Sequence, residues 1–446
     1  MIPELIRRAA ILRDLNEGPE KIEYIRLYWL DFSSIPRARV FPVGQALESM
    51  RNLREFYVGV ASAWTGLMPD DSYIGSSAAG EQLLLPEWDS LRLGPRAGHA
   101  SVQGAFYMDQ NRNPSTQCPR SQLEQVIREA EELGLKFRIG FEMEFMILER
   151  DPSGNLVSKY QGSWSYARAL DTGYAARVIE PTIKKLKACG INVEQYHAEA
   201  ASSQYEIILP HKPPMEAIEN LLHAREILYA TAMEENLVVT FHPKFDTAKC
   251  GSGSHVHISL EGRLDTDAKA YESFYAGILH ELPALLAFTY SSPASYLRMK
   301  DKFWAGGSKV AWGKQDKEAA LRVIHNSHWE LKTMDGMANP YLALAAILTA
   351  GRLGYTKKMK LNMAECSTPE LFKGPTTNGI NGDCAKSQRA FPESLPDALA
   401  LLKKSEVTRC LTADLLACYM DVKKAEVAMY ERMSEDEMRT FICNRY

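Results

Sequence analysis

The stretch Gly-Phe-Glu-Met-Glu-Phe-Met-Ile-Leu at residues 140–148 constrains this chain more than any other part of it. Its aromatic and aliphatic content reads as a β-strand, and strand side chains alternate between faces. Glu142 and Glu144 therefore project one way while Phe141, Met143 and Phe145 project the other. The apolar side demands a packed core. The acidic side places two like charges within roughly 7 Å of each other, which leaves two readings: a solvated face, or a pair of carboxylates held together by a cation.

The chain has 446 residues, enough for a sizeable core and for more than one domain. Hydrophobic residues at 46% and charged residues at 24% are ordinary for a globular protein. A formal net charge of -4 without a long basic run argues against nucleic acid or an anionic membrane as partner, and so for a small molecule. The 8 cysteines are scattered, with no CxxC pair, and read as reduced thiols. Residues 1–15 have the pattern of an amphipathic helix rather than a signal peptide, and the apolar run 341–351 is too short to span a bilayer. The expected location is the cytoplasm.

Residues 21–43 alternate around a Ser-Ser-Ile-Pro turn, predicting a hairpin, and a further strand is expected near 82–88. Polar residues and two prolines at 108–122 mark a boundary, giving a small N-terminal domain over 1–112 and a larger one over 113–446. A helix capped by Ser121 and stopped by Gly134 leads into the acidic strand. Two strands around Ala-Ala-Ser-Ser carry Glu199 and Glu206, the His-Val-His strand carries His255 and His257, and Glu330 lies in His-Trp-Glu-Leu-Lys. Each taken singly is most simply a satisfied surface or core group. Glu142, Glu144, Glu199, Glu206, His255 and Glu330 all fall on expected strands, however, and one sheet could point them into one cavity. Five carboxylates and one imidazole suit Mg²⁺ or Mn²⁺ better than zinc.

The segments GFEMEFMIL, EQYHAEAASSQYEI, FHPKF with GSGSHVHISL, and ELKTMDGMANPYLALAAILTAG, in this order and over nearly the whole chain, resemble the signature segments of class I glutamine synthetases. The ELKTMDGMANPY ending is similar to that of fungal glutamine-synthetase-like proteins. The resemblance implies an α+β fold with a β-grasp-like N-terminal domain and a catalytic domain built on a curved antiparallel sheet surrounded by helices. It also implies a homo-oligomeric double ring with active sites between subunits. The implied chemistry is ATP-dependent: the γ-carboxylate of glutamate becomes an acyl phosphate, and an amine displaces the phosphate. Two divalent cations would be held, one by Glu144, Glu199 and Glu206 and the other by Glu142, His255 and Glu330. By the same resemblance Arg298 and Gly251 would bind the amino acid. His257, Ser259 and Arg322 would meet the nucleotide and its phosphates.

Several positions depart from the family pattern. A flap glutamate that handles ammonium is replaced by Trp304, and residues 59–66, where the neighbouring subunit's ammonium-binding aspartate should lie, contain no acid. Two phosphate-site arginines become Lys317 and Lys332, which keep the charge and lose the planar fork. The run from Arg322 to Glu330 is shorter than the family spacing, and Cys250 stands where asparagine is usual and reads as a small buried residue. The expected function is a glutamate–amine ligase using an amine other than ammonia. Two other classes stay open: a metal-dependent lyase or decarboxylase without ATP, and a non-catalytic scaffold or sensor.

Overall fold

The structure, a computed structural model, describes residues 2–18, 21–75, 79–159, 166–167, 173–299, 303–314, 316–366 and 389–446. Two sheets organise them. The first holds β1 (Tyr24–Leu30), β2 (Pro36–Pro42), β3 (Val58–Ala61), β4 (Glu81–Pro86), β5 (Arg92–Leu93) and β6 (His99–Tyr107), in the order β2-β1-β6-β4-β3 with β5 beside β6. β1 and β2 make the expected hairpin, and β1 runs parallel to β6. The acid-free stretch 59–66 is packed by its aromatic residue: Trp64 stacks between Phe32 and Phe106, at ring-centre distances of 5.7 and 4.1 Å.

The second sheet holds β7 (Phe137–Arg150), β8 (Leu156–Val157), β9 (Gln195–Ala198), β10 (Gln204–Ile208), β11 (Val238–Thr240), β12 (Val256–Leu260), β13 (Trp312–Gly313), β14 (Leu321–His325) and β15 (His328–Leu331). Its order is β13-β14-β15-β12-β7-β10-β9, and it curls into a half-barrel. β7 is its axis: β10 pairs with residues 142–146 of β7, β12 with 137–141, and β11 with 146–148. The buried Phe141, Met143 and Phe145 join a hydrophobic core that also takes in two long helices, Ala268–Thr289 and Pro340–Thr356. Asn339 caps the second of these by accepting from the backbone N–H groups of Tyr341 and Leu342.

Two expectations need correction. The helix before β7 spans Pro119–Glu131 and starts two residues ahead of Ser121, without a side-chain cap. Proline at the first helical position has no N–H to satisfy and a preset φ, so it opens the helix unaided. Six of the described cysteines are free thiols, but Cys366 is disulfide-bonded; spacing along a chain does not reveal which thiols folding brings together. Among the described residues no helix is long and apolar enough to cross a membrane.

Candidate metal and substrate site

Strand alternation sends Glu142 and Glu144 to the same face of β7, and the β7–β10 register sets Glu206 directly opposite Glu144. Glu330 sits on β15 opposite His257 of β12. Glu199 and His255 lie one residue outside β9 and β12, not within strands as expected. Backbone bonds hold them there: Glu199 N–H donates to Gln204 O at 2.8 Å, and Glu142 N–H donates to His255 O at 3.2 Å. A carbonyl and an amide just past a strand end can still extend the ladder, which is why alternation placed these side chains correctly.

The five glutamates line a single cavity of about 190 Å³. His255 Nδ1 stands beside three of them, 2.8 Å from Glu142 Oε2, 3.3 Å from Glu330 Oε1 and 3.6 Å from Glu144 Oε1. Glu144 also accepts from Gly253 N–H at 2.7 Å and from Gln204 Nε2 at 3.4 Å. His197 approaches Glu199 at 3.0 Å and Glu206 at 3.8 Å. The ligand-capable atoms fall into the groups Glu142–His255–Glu330, Glu144–Glu206–His255 and His197–Glu199–Glu206, each with its atoms within 4.8 Å of one another. The first is the set expected for one ion. In the expected second set, Glu199 and Glu144 meet through their shared neighbour Glu206.

Electrostatics differ sharply among these acids. Burial would raise Glu142, but hydrogen bonds from His255 and His257 hold it well below the usual carboxylate range. Burial likewise opposes ionisation of Glu330, yet Lys332 at 3.1 Å, with His255 and Arg322, brings it down to about 2. For Glu206 the pull of Lys332 is outweighed, and burial together with Glu142, Glu144 and Glu199 pushes it up to about 10. One imidazole N–H needs a single acceptor, so three carboxylate oxygens around His255 Nδ1 exceed what hydrogen bonding uses. With that proton released, the Nδ1 lone pair and the three hard oxygens around it make a donor set that fits a Mg²⁺- or Mn²⁺-type ion.

Trp304, Lys317, Arg322 and Lys332 line the same cavity. Trp304 has φ +56, a left-handed conformation that a bulky residue rarely adopts, and its backbone N–H donates to Glu318 at 2.7 Å. Lys317 Nζ lies 5.3 Å from the Trp304 ring centre and 5.2 Å from that of Tyr166. Arg322 faces Glu330 across the β14–β15 hairpin and is hydrogen-bonded to it; the shortened Arg322–Glu330 run is this hairpin, turned at Asn326 and Ser327.

Arg298 is 1% exposed and lies behind the lining. Its guanidinium donates to Tyr290 Oη at 3.3 Å and Met334 O at 3.2 Å, while its Nε is buried without a hydrogen-bond partner. Gly251 and Gly253 are what let it sit there, since a Cβ on Gly253 would fall 2.8 Å from the guanidinium and one on Gly251 2.9 Å from its Cγ. The Cys250 thiol beside Gly251 is pushed up to about 11 by burial, in keeping with a small packed residue. His257 has both ring nitrogens engaged, Nε2 by Glu142 at 2.9 Å and Nδ1 by His328 at 2.8 Å. Ser259 is two residues further along β12, outside the cavity lining.

Sequence reasoning missed His197, Gln204 and Tyr166 in this lining or against it, and His211 and His328 beside His257. His197 was findable, because it precedes Glu199 by two and so shares its face. Nothing in the sequence pairs Tyr166 with Trp304, which approach in a T-shape at 6.0 Å.

A family model described as the glutamine synthetase catalytic domain matches residues 116–441. Protein fluG of Emericella nidulans is 32% identical over 435 residues, covering 95% of this chain and 49% of that protein, so the chain spans about half the length of this relative. The gamma-glutamylpolyamine synthetase GlnA3 of Streptomyces coelicolor is 28% identical over 463 residues, covering 97% and 96%. A solved glutamine synthase homolog superposes with a TM-score of 0.79 at 25% identity, over 95% of this chain and 99% of its own. The fold is also that of GmaS in complex with ADP, with a TM-score of 0.80 at 22% identity over 97% and 98% of the chains. The glutamates that β7, β10 and β15 gather around one cavity thus lie within a match running almost to the end of the sequence, and the chain belongs to the glutamine synthetase family.

Proposed function

We propose that this chain is an ATP- and divalent-metal-dependent ligase that joins the γ-carboxylate of glutamate to an amine other than ammonia. The observation that carries this reading is one cavity lined by two unlike groups: five carboxylates, and the aromatic pair Trp304 and Tyr166. The name of the relative GlnA3, a gamma-glutamylpolyamine synthetase, supports an amine larger than ammonia.

Glu142, His255 and Glu330 would hold one ion, and Glu144, Glu199 and Glu206 the other. Ions bound there neutralise phosphate oxygens as charge redistributes during transfer. Lys317, Arg322 and Lys332 add positive charge to the same lining, where a phosphoryl group would sit. Arg298 orients the amino-acid carboxylate, its unpartnered buried Nε–H being available to an acceptor brought in past Gly251 and Gly253. Trp304 supplies an apolar π face and no base. Such a face suits an aromatic amine by stacking, or an alkylammonium of pKa about 10.4 by cation–π attraction. In this reading residues 1–112 form the N-terminal domain, and the subunits assemble as a double ring.

The test is phosphate release from ATP and Mg²⁺ with glutamate and a panel of ammonia, aliphatic diamines, polyamines and aromatic amines, with products identified by mass spectrometry. Release requiring both glutamate and one amine class, with a γ-glutamyl product, supports the ligase. Metal-dependent turnover without nucleotide, or ligand-induced thermal stabilisation with no product from any amine, replaces it with a lyase or a sensor.

A further inference from the structure

Outside the carboxylate cavity, three histidines from three separate segments bring ring nitrogens together. His211 follows β10, His257 lies on β12, and His328 opens β15; one nitrogen from each falls within 4.8 Å of the others. His257 Nδ1 is 2.8 Å from His328 Nε2, and His211 Nε2 is 3.4 Å from the same atom. None of the three is among the six residues of the carboxylate set, and all are partly open to solvent.

Two further features shape the cluster. Glu142 Oε1 takes the Nε2–H of His257 at 2.9 Å, which fixes the tautomer and leaves the Nδ1 lone pair aimed into the cluster. A carboxylate behind a ligating imidazole is the usual way such a ring is oriented and made more basic. Second, His211 lies over β7 at Gly140: a Cβ there would come within 3.1 Å of the His211 ring. The absent side chain is the space the ring occupies.

We infer that His211, His257 and His328 bind a borderline divalent transition-metal ion of the Zn²⁺ or Co²⁺ class at the edge of the carboxylate cavity, with a coordination position left open. Three imidazoles and no carboxylate oxygen select against Mg²⁺, and three-histidine sites with a free fourth position are a known zinc arrangement. Ligand nitrogens about 2.05 Å from a tetrahedral ion are about 3.3 Å apart. The His211–His328 distance of 3.4 Å already matches, and the 2.8 Å His257–His328 contact has to open by about half an ångström. The inference does not depend on the ligase reading, because its readout is metal binding rather than turnover.

The test uses the chelator-treated 446-residue chain in saturating Mg²⁺, which occupies the carboxylate donors, titrated with Co²⁺ and Zn²⁺. Visible Co²⁺ absorption with the intensity of a four- or five-coordinate nitrogen site is expected, at one equivalent per chain, displaced by Zn²⁺. His211→Ala and His328→Ala each weaken Zn²⁺ by about a hundredfold or more, a first ligand mattering at least as much as the outer groups that cost 10–100-fold. His325→Ala, whose exposed ring stacks edge-on against His328 at 5.1 Å, leaves binding unchanged. His211 is partly exposed, so its variant is expected to fold even if that of His328 does not. Unaltered Zn²⁺ affinity in His211→Ala, or Zn²⁺ that Mg²⁺ displaces completely, overturns the site.

Discussion

The Lys317 ammonium sits beside two aromatic rings in the lining of the glutamate cavity, 5.3 Å from the centre of Trp304 and 5.2 Å from that of Tyr166. The pair of rings already holds an alkylammonium ion, the one the chain itself supplies.

An amine substrate using the same faces should be sensitive to Trp304 alone. Trp304→Ala is expected to raise the amine KM by about 5- to 30-fold, the range of a partly desolvated cation–π contact, with the KM values for ATP and glutamate within twofold of the parent. Initial velocities with each substrate varied in turn decide it. Equal rises in all three KM values would show that Trp304 shapes the cavity as a whole rather than the amine subsite.

Replacing the missing acids tests the same wall from the other direction. Trp304→Glu combined with Ser62→Asp is expected to raise ammonia-dependent phosphate release while reducing use of the larger amine. If ammonia turnover stays at zero while other amines still react, the account of the aromatic wall is wrong.

Lys332 occupies charge space that a divalent ion would share. Its ammonium is buried, 3.1 Å from Glu330. Burial opposes its charge, and Glu330, Glu142 and Glu144 raise its pKa regardless. Lys332→Met should destabilise the metal-free protein by on the order of 3 kcal/mol, because it deprives a buried carboxylate of a cation. Mg²⁺ should then restore more stability than it gives the parent, since it no longer competes with the lysine. Thermal unfolding with and without saturating Mg²⁺ measures this; a smaller Mg²⁺-induced Tm rise in the variant refutes it.

What was legible in the sequence followed from periodicity. A period of two placed Glu142 with Glu144 and His255 with His257, and it survived in the structure because β7 is regular at both glutamates and the Glu142 N–H to His255 O bond continues the ladder past the end of β12. The same rule extended to Glu199 and His255 although both lie just past strand ends. What could not be read are contacts made by closure of the half-barrel. His211 and His328 are 117 positions apart and meet only because residue 212 bridges to β7 while β15 reaches it through β12. Likewise Tyr166 comes to Trp304 from a different loop. Local pattern carries the elements and their faces, whereas register and curl decide which faces meet.

A pH dependence follows from a histidine outside the lining of the carboxylate cavity. His223 is 3% exposed, and one ring nitrogen is 3.0 Å from Leu93 O. Burial pulls its pKa from 6.5 to about 4. Between those values the unfolded chain binds the proton and the folded chain does not. Its stabilising contribution is therefore complete above about pH 6.5 and is lost as the pH falls toward 4. The full effect is on the order of 3 kcal/mol. His223→Gln keeps a donor for Leu93 O and does not titrate, so urea unfolding from pH 7 to 4.5 should show a shallower acid loss than in the parent. Identical slopes would place the acid sensitivity elsewhere.

Two glycines should respond to alanine with opposite signs. Gly277, in the helix Ala268–Thr289, packs against the helix Pro340–Thr356 so closely that a Cβ would lie 2.3 Å from Ala350 O and 2.7 Å from the Gly354 Cα. The obstacles are backbone atoms, which cannot swing aside, so the helices must separate. Gly277→Ala is expected to cost about 1–3 kcal/mol or more. Gly44, near the start of the helix Val43–Arg51, has nothing within 4 Å of a built Cβ. There alanine removes only the entropic penalty of glycine in a helix, and Gly44→Ala should stabilise by up to about 1 kcal/mol. Since the helix Ala268–Thr289 packs Phe274 against Phe137 of β7 and stacks Tyr275 on Trp329 of β15, the strands that carry Glu142 and Glu330, Gly277→Ala should also weaken Mg²⁺ binding and Gly44→Ala should not. Paired denaturant midpoints and Mg²⁺ titrations check both signs, and a neutral Gly277→Ala would mean that the helix contact is looser than these distances allow.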